Sequence, residues 1–187
     1  MPPRKWKKAY ARARELCQRV GETPQLFPVL RGLWGFYVTR GELETAHELG
    51  EQLLRIAQQV EDPALLLEAR RVLGATLSYV GEFAAGLAHL TQSMPLYDPQ
   101  QHRSHTVPYG QDSGVICLTY MAVVLWYLGY PDQALRRSQE ALALAREVMH
   151  PFSLGFALNF AGALYQFLRD GPAVQERAEA AMAQAFR

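Results

Sequence analysis

Tyr37-Val-Thr-Arg-Gly41-Glu-Leu-Glu-Thr-Ala46 aligns with Leu77-Ser-Tyr-Val-Gly81-Glu-Phe-Ala-Ala-Gly86 and with Leu125-Trp-Tyr-Leu-Gly129-Tyr-Pro-Asp-Gln-Ala134. A fourth copy, Tyr165-Gln-Phe-Leu-Arg169-Asp-Gly-Pro-Ala-Val174, keeps the same register. The steps from Gly41 to Gly81, Gly129 and Arg169 are 40, 48 and 40 residues, so eight extra residues sit in one place. Self-similarity with a period of about 20–50 residues is the mark of a stacked array, in which each unit buries its apolar face only against its neighbours.

Each unit reads as two helices. The first is strongly apolar, over residues 25–40, 64–80, 112–128 and 152–169; the second is more amphipathic, over 42–60, 82–96, 131–148 and 172–186. Gly41, Gly81 and Gly129 stand where a left-handed helix terminus wants glycine. Asp62-Pro63, Tyr130-Pro131, His150-Pro151 and Gly171-Pro172 each put proline at a plausible first helical residue, where its missing N–H costs nothing. Small residues recur inside the pairs: Gly74, Ala122 and Gly162 in first helices, and Ala46, Gly86, Ala134 and Val174 in second helices. Close approach of two backbones excludes large side chains there; Trp34, at the same position in the opening unit, breaks the pattern. Leu33, Leu73 and Met121, with Tyr37, Leu77, Leu125 and Tyr165, supply core knobs at helical spacing.

Composition agrees with helix throughout. The 187 residues include 25 Ala and 26 Leu against 12 Val, 2 Ile and 7 Thr, a balance that favours helix over sheet. Apolar residues make up 49% and the net charge is +1, which excludes disorder and collagen-like scaffolds. Cys17 and Cys117 lie far apart without metal-like or redox-like neighbours, the usage of a reducing compartment, and each reads as a small buried hydrophobe. The basic start Met1-Pro-Pro-Arg-Lys-Trp-Lys-Lys leads into no signal-peptide core. The most apolar run, 115–130, falls short of the ~20 residues that span a bilayer. A cytoplasmic location without membrane contact is expected.

The expected architecture is all-α, a right-handed superhelix of stacked antiparallel helix pairs in one domain, residues 1–187. It comprises a leading helix at 5–20, repeats at about 25–60, 64–97, 112–148 and 152–187, and an inserted loop at 98–111. The leading helix matches a second helix, since Ala13-Arg-Glu-Leu-Cys17 parallels Ala145-Arg-Glu-Val-Met149. With the first helix of its opening unit missing and no polar capping helix after the last, the array reads as cut from, or evolved out of, a longer one, and is expected to self-associate or swap helices through its ends unless the missing neighbours are supplied.

A glycine at the inner turn, a small residue five positions later and proline opening the next unit resemble the tetratricopeptide repeat. The period is longer than that family's usual 34 residues. Gly21-Glu-Thr-Pro-Gln-Leu-Phe-Pro-Val-Leu, Leu96-Tyr-Asp-Pro-Gln-Gln-His-Arg-Ser, Tyr109-Gly-Gln-Asp, Gly129-Tyr-Pro-Asp-Gln-Ala-Leu and His150-Pro-Phe-Ser are similar to the repeat region of large bacterial signalling ATPases. Those proteins often also carry an adenylate or guanylate cyclase-like domain. The resemblance spans nearly the whole chain and implies a regulatory, non-catalytic role for this part.

Motifs for catalysis are missing. Neither G-x-x-x-x-G-K-[ST] nor G-x-G-x-x-G occurs, so no glycine loop cradles a phosphate. There is no H-E-x-x-H and no Cys-x-x-Cys; His102-x-x-His105, near Asp98 and Asp112, reads as solvated loop histidines. No G-x-S-x-G elbow supports a nucleophilic serine. No enzyme activity, cofactor or metal is therefore expected. The inserted loop is long enough to suggest a role of its own, although Asp112 reads most simply as the cap of the next helix.

Ligand contacts are expected on the exposed stripe of the first helices, which line the inner surface of such stacks. That stripe runs through Arg31, then Glu68, Arg71, Ser78 and Tyr79, then Thr119, Tyr120, Trp126 and Tyr127, then Asn159 and Gln166. Aromatic and Arg side chains desolvate much area while keeping polar reach, the chemistry of partner anchors. For Tyr120 and Trp126 the alternative is packing between units. The expected function is a scaffold binding a peptide, a partner domain or a neighbouring domain of its own parent chain in a bacterial signalling system. The alternative is a nucleic-acid-associated transcriptional regulator: residues 1–20 hold seven Arg and Lys against Glu15 alone. Few aromatics interleave with these charges, as single-strand binding would require.

Overall fold

In a computed structural model, the structure describes residue 12 and residues 24–99 and 110–185. Leading helix 5–20, Cys17, His102 and His105 lie outside the described residues, apart from Arg12, which is helical and exposed. A 3-10 turn, Pro24–Leu26, opens onto α1 (Phe27–Thr39) and α2 (Leu43–Val60). Then come α3 (Pro63–Val80), α4 (Phe83–Ser93) with a 3-10 turn Met94–Leu96, α5 (Ser113–Tyr127), α6 (Pro131–Val148), α7 (Pro151–Phe167) and α8 (Gly171–Ala185). Among the described residues there is no strand. The chain is all-α, and its described residues form a solenoid-like stack of four helix pairs.

Sequence chemistry sets the joints. Gly41, Gly81 and Gly129 have φ of 73°, 86° and 84°, the left-handed turns that end first helices, whereas Arg169 adopts φ 58° without glycine's freedom. Asp62 caps α3 by accepting from the amides of Ala64 and Leu65 at 2.8 and 3.3 Å. In α8 the cap is Asp170, accepting from Ala173 N at 3.1 Å.

Pairing follows the small residues. A Cβ on Gly74 would meet Leu90 Cγ at 2.5 Å and the Gly86 carbonyl oxygen at 3.1 Å, so α3 and α4 touch backbone to backbone there. Each first helix packs on its own second helix, and α3, α5 and α7 each pack on both helices of the preceding pair. Phe27, Leu30, Leu33, Leu53, Ile56, Leu67, Val72, Leu90, Cys117 and Met121 form one continuous core through the first three pairs. Val115, Leu118, Ala141, Leu142, Ala157, Leu158 and Ala161 carry it into the fourth.

Candidate functional site

Three of the residues placed on the first-helix stripe come together as a buried ion cluster. Glu68 Oε1 accepts from Arg31 Nε at 2.6 Å and from Arg71 Nη2 at 2.6 Å, while Oε2 accepts from Arg71 Nε at 2.8 Å and from Ser113 Oγ at 2.7 Å. Glu68 and Arg71 are 1% exposed, so this is an interior salt bridge rather than a surface pair. Burial alone would raise the Glu68 carboxyl, but Arg71 and then Arg31 outweigh it and hold it well below the usual carboxylate range. With its carboxamide oxygen turned toward the guanidiniums, Gln111 accepts from Arg31 Nη2 at 2.6 Å and from Arg71 Nη2 and Nη1 at 3.2 and 3.3 Å.

Trp34 finds its explanation here. Its ring carries the Arg31 and Arg71 guanidinium carbons at 4.8 and 5.1 Å from its centroid, and its indole N–H donates to Thr76 Oγ1 at 2.7 Å. Where later units need a small residue for close helix approach, the first unit needs a flat, apolar platform under two cations.

Asp112 is more than a cap. Its Oδ1 accepts from Val115 N at 2.9 Å, but its Oδ2 also accepts from Tyr97 OH at 2.8 Å and its own amide donates to Ser153 Oγ at 2.8 Å. Ser153 lies 2.9 Å from His150 Nδ1, which accepts the Ser153 amide at 3.3 Å and so caps α7. Residues 111–113 thereby bind the first, second and fourth pairs to the third. Of the inserted segment, residues 98, 99, 110 and 111 are described, and the rest lies outside the described residues.

Aromatic rings form two runs across the first helices. Tyr79 OH meets Tyr120 OH at 2.7 Å with the rings edge to face at 5.8 Å, and Tyr120 continues onto Phe156 and Phe160 at 5.8 and 5.9 Å. Phe152 extends this run from Phe156. At the turn end, Phe83 stacks on Tyr127 at 4.8 Å, Tyr127 meets Phe167 at 6.1 Å, and Trp126 stacks on Phe167 at 5.6 Å. Tyr79, Tyr127, Phe152 and Phe167 each leave about half of their surface to solvent (46, 53, 55 and 45% exposed). Phe83, Phe152, Phe156, Phe160 and Phe167 escape a reading of the exposed stripe alone; their regular spacing along apolar helices looks like core.

The remaining stripe positions divide. Tyr120 and Trp126 pack between units through these ring contacts, and burial, then Tyr79, pushes the Tyr120 hydroxyl well above its ordinary value. Thr119 is buried and donates to Val115 O at 2.8 Å; Ser78 donates to Gly74 O at 2.6 Å. Asn159 and Gln166 are exposed, away from the ion cluster, on a groove between α7 and α8. Cys117 is fully buried, and that burial pushes its thiol up to about 12, consistent with an unreactive core residue. Among the described residues no three His, Cys, Asp or Glu side chains stand together as a metal-holding group. Nor is any described helix long and apolar enough to cross a membrane.

No protein-family profile matches this chain, and no curated protein matches it. Among solved structures, it is similar to BtubC (BKLC) from P. vanneervenii, with a TM-score of 0.64 and 18% identity, covering 95% of this chain and 70% of that one. At that identity the likeness is one of helical fold.

Proposed function

We propose that this chain is a non-catalytic interaction module of the tetratricopeptide type, holding a peptide or partner domain on the aromatic face of α3, α5 and α7. One observation carries the reading: α5 and α7 contain no Asp, Glu, Lys or Arg, yet they present Tyr127, Phe152 and Phe167 about half exposed. Neutral helices that keep large rings in water gain by covering them. The rings are held by stacking on one another, so little side-chain freedom is lost on binding. The favoured occupant is an uncharged, apolar segment, since a charged one would find no counter-charge on α5 or α7.

The regulatory setting rests on the resemblance of the sequence to repeat regions of bacterial signalling ATPases. In that setting the module acts in the cytoplasm, passing partner occupancy to a catalytic domain elsewhere.

The test is selection from a displayed library of random peptides against the full chain and against Tyr79→Ala/Tyr127→Ala/Phe167→Ala. All three rings are exposed enough to be removed without opening the core. Apolar peptides retained by the wild type and lost with the triple variant support the face. No enrichment, or enrichment equal on both baits, overturns it. Retention of nucleic acid that falls steeply between 50 and 200 mM salt would instead favour the basic segment at residues 1–20.

A further inference from the structure

Tyr79, Tyr127 and Phe167 hold one repeat position, each standing two residues before the turn residue of its unit, Gly81, Gly129 and Arg169. Three successive first helices therefore set a half-exposed ring in one row, which crosses the helices rather than following any of them. Tyr127 meets Phe167 at 6.1 Å, and Phe83, the first residue of α4, stacks on Tyr127 at 4.8 Å. In the opening unit Thr39 takes the position, so the row begins at α3.

The polar atoms among these rings are mainly donors. Among the described residues nothing accepts from the indole N–H of Trp126, which stacks on Phe167, or from the hydroxyl of Tyr127. Tyr79 and Tyr120 share one hydroxyl proton across 2.7 Å and retain a second. Tyr120 is 6% exposed and Tyr79 46%, so donation from Tyr120 to Tyr79 leaves the second proton on the side of solvent and strands none in the interior. Acceptors are scarce. Neither α5 nor α7 contains a carboxylate. At the end of α5 the carbonyls of Val124, Leu125 and Trp126 accept the amides of Leu128, Tyr130 and Gly129. At the end of α7 those of Leu164, Tyr165 and Gln166 accept the amides of Leu168, Asp170 and Arg169.

This imbalance selects among occupants. A β-strand would lay free amides on a face with little but phenol oxygens to receive them. A helix has its carbonyls engaged internally and would cover Trp126 and Tyr127 without supplying an acceptor. A buried donor left unpaired is costly in either case. A proline-rich segment has the complementary set, carbonyls without amides, because proline lacks the N–H and polyproline II makes no internal hydrogen bonds.

We propose that the aromatic row of α3, α5 and α7 binds an uncharged, proline-rich segment in the polyproline II conformation. Its prolyl rings lie on Tyr79, Tyr127 and Phe167, and its carbonyls accept from Trp126 Nε1, Tyr127 OH and Tyr79 OH. This ligand class rests on the reading of the aromatic face as an interaction surface. The segment is extended before it binds and the rings are already held by their neighbours, so little freedom is lost on either side.

The probe is a fluorescent, terminally blocked peptide of ten prolines, titrated against the full chain beside an alanine–leucine peptide of equal length. Saturable binding of the proline peptide is expected, with the alanine–leucine peptide at least about tenfold weaker, and the Trp126 indole N–H resonance should move downfield on saturation. Trp126→Phe/Tyr127→Phe keeps both rings and removes two donors, and should weaken the proline peptide about tenfold or more. Tyr127→Phe alone, at a residue 53% exposed, should weaken it about 3–10-fold and serves if the double variant melts early.

Two results overturn the proline-rich ligand while leaving the aromatic face as an interaction surface. One is no binding of the proline peptide at roughly 1 mM while proline-free apolar peptides bind and are lost with Tyr79→Ala/Tyr127→Ala/Phe167→Ala. The other is equal binding of the two peptides, or a proline peptide indifferent to loss of the donors. If no peptide of either kind binds, both readings fall.

Discussion

Glu68 accepts four hydrogen bonds from two arginines and a serine inside the stack, and its charge is what makes the two guanidiniums tolerable there. Glu68→Gln keeps the shape but removes the charge that pairs with the fully buried Arg71. Removing one member of a buried pair costs about 3–5 kcal/mol, so a large fall in the urea midpoint is expected. Acid should act through the same residue. The folded carboxyl lies below its ordinary value of 4.5, so its contribution is complete above that pH. It is lost progressively as pH falls below that value. Stability measured from pH 6 to pH 3 should therefore decline less steeply in Glu68→Gln than in the wild type. A parallel decline in both would mean that the carboxylate titrates alike folded and unfolded.

At the scale of the helices, the turn glycines and caps are local signals, and local signals are what sequence displays well. Arg169 stands where three earlier units place Gly, and it adopts the same left-handed φ. Arg169→Gly should stabilise the fourth pair by about 0.5–1 kcal/mol, and Gly81→Ala should destabilise the second by a similar amount, both read as shifts in thermal midpoint. Equal and opposite effects would tie the penalty to φ; a destabilised Arg169→Gly would show that the side chain contributes more than the turn costs. Helix ends, pair order and small-residue contacts were legible for this reason. The site was legible only in part. Helical spacing put Arg31, Glu68 and Arg71 on one stripe but could not say whether solvent or another chain segment covers it. Gln111, the last residue of an insertion with no periodicity, and Ser113, the first residue of α5, bond to them there. A usable signal did exist: Arg31 and Arg71 occupy the same repeat position, with Glu68 one turn before Arg71, the spacing of a paired rather than a solvated charge.

Across the whole molecule, a stack whose pairs touch only their neighbours should unfold pair by pair unless something spans more than one joint. Residues 111–113 provide that span: Gln111 reaches Arg31 of the first pair, Asp112 reaches Tyr97 at the end of the second and Ser153 of the fourth, and Ser113 reaches Glu68. Glu68, Asp112, Ser113 and Ser153 are buried, and these bonds would break if one pair melted alone, which couples the pairs. Asp112→Ala removes the cap of α5 and the hydrogen bond that Tyr97 OH donates to Asp112 Oδ2. The expected cost is about 2 kcal/mol, from a lost cap and a lost charged hydrogen bond. The more telling consequence is loss of cooperativity. In the wild type, amides in the middle of α3 and α7 should exchange with a common opening free energy. In Asp112→Ala the α7 amides should exchange at lower free energy while those of α3 are nearly unmoved, and the denaturant slope should fall as the transition broadens. Hydrogen exchange by mass spectrometry resolves the two helices as separate peptides. If both weaken equally with an unchanged slope, apolar contacts between α5 and α7 already suffice to hold the stack as one unit, and the polar span adds stability without coupling.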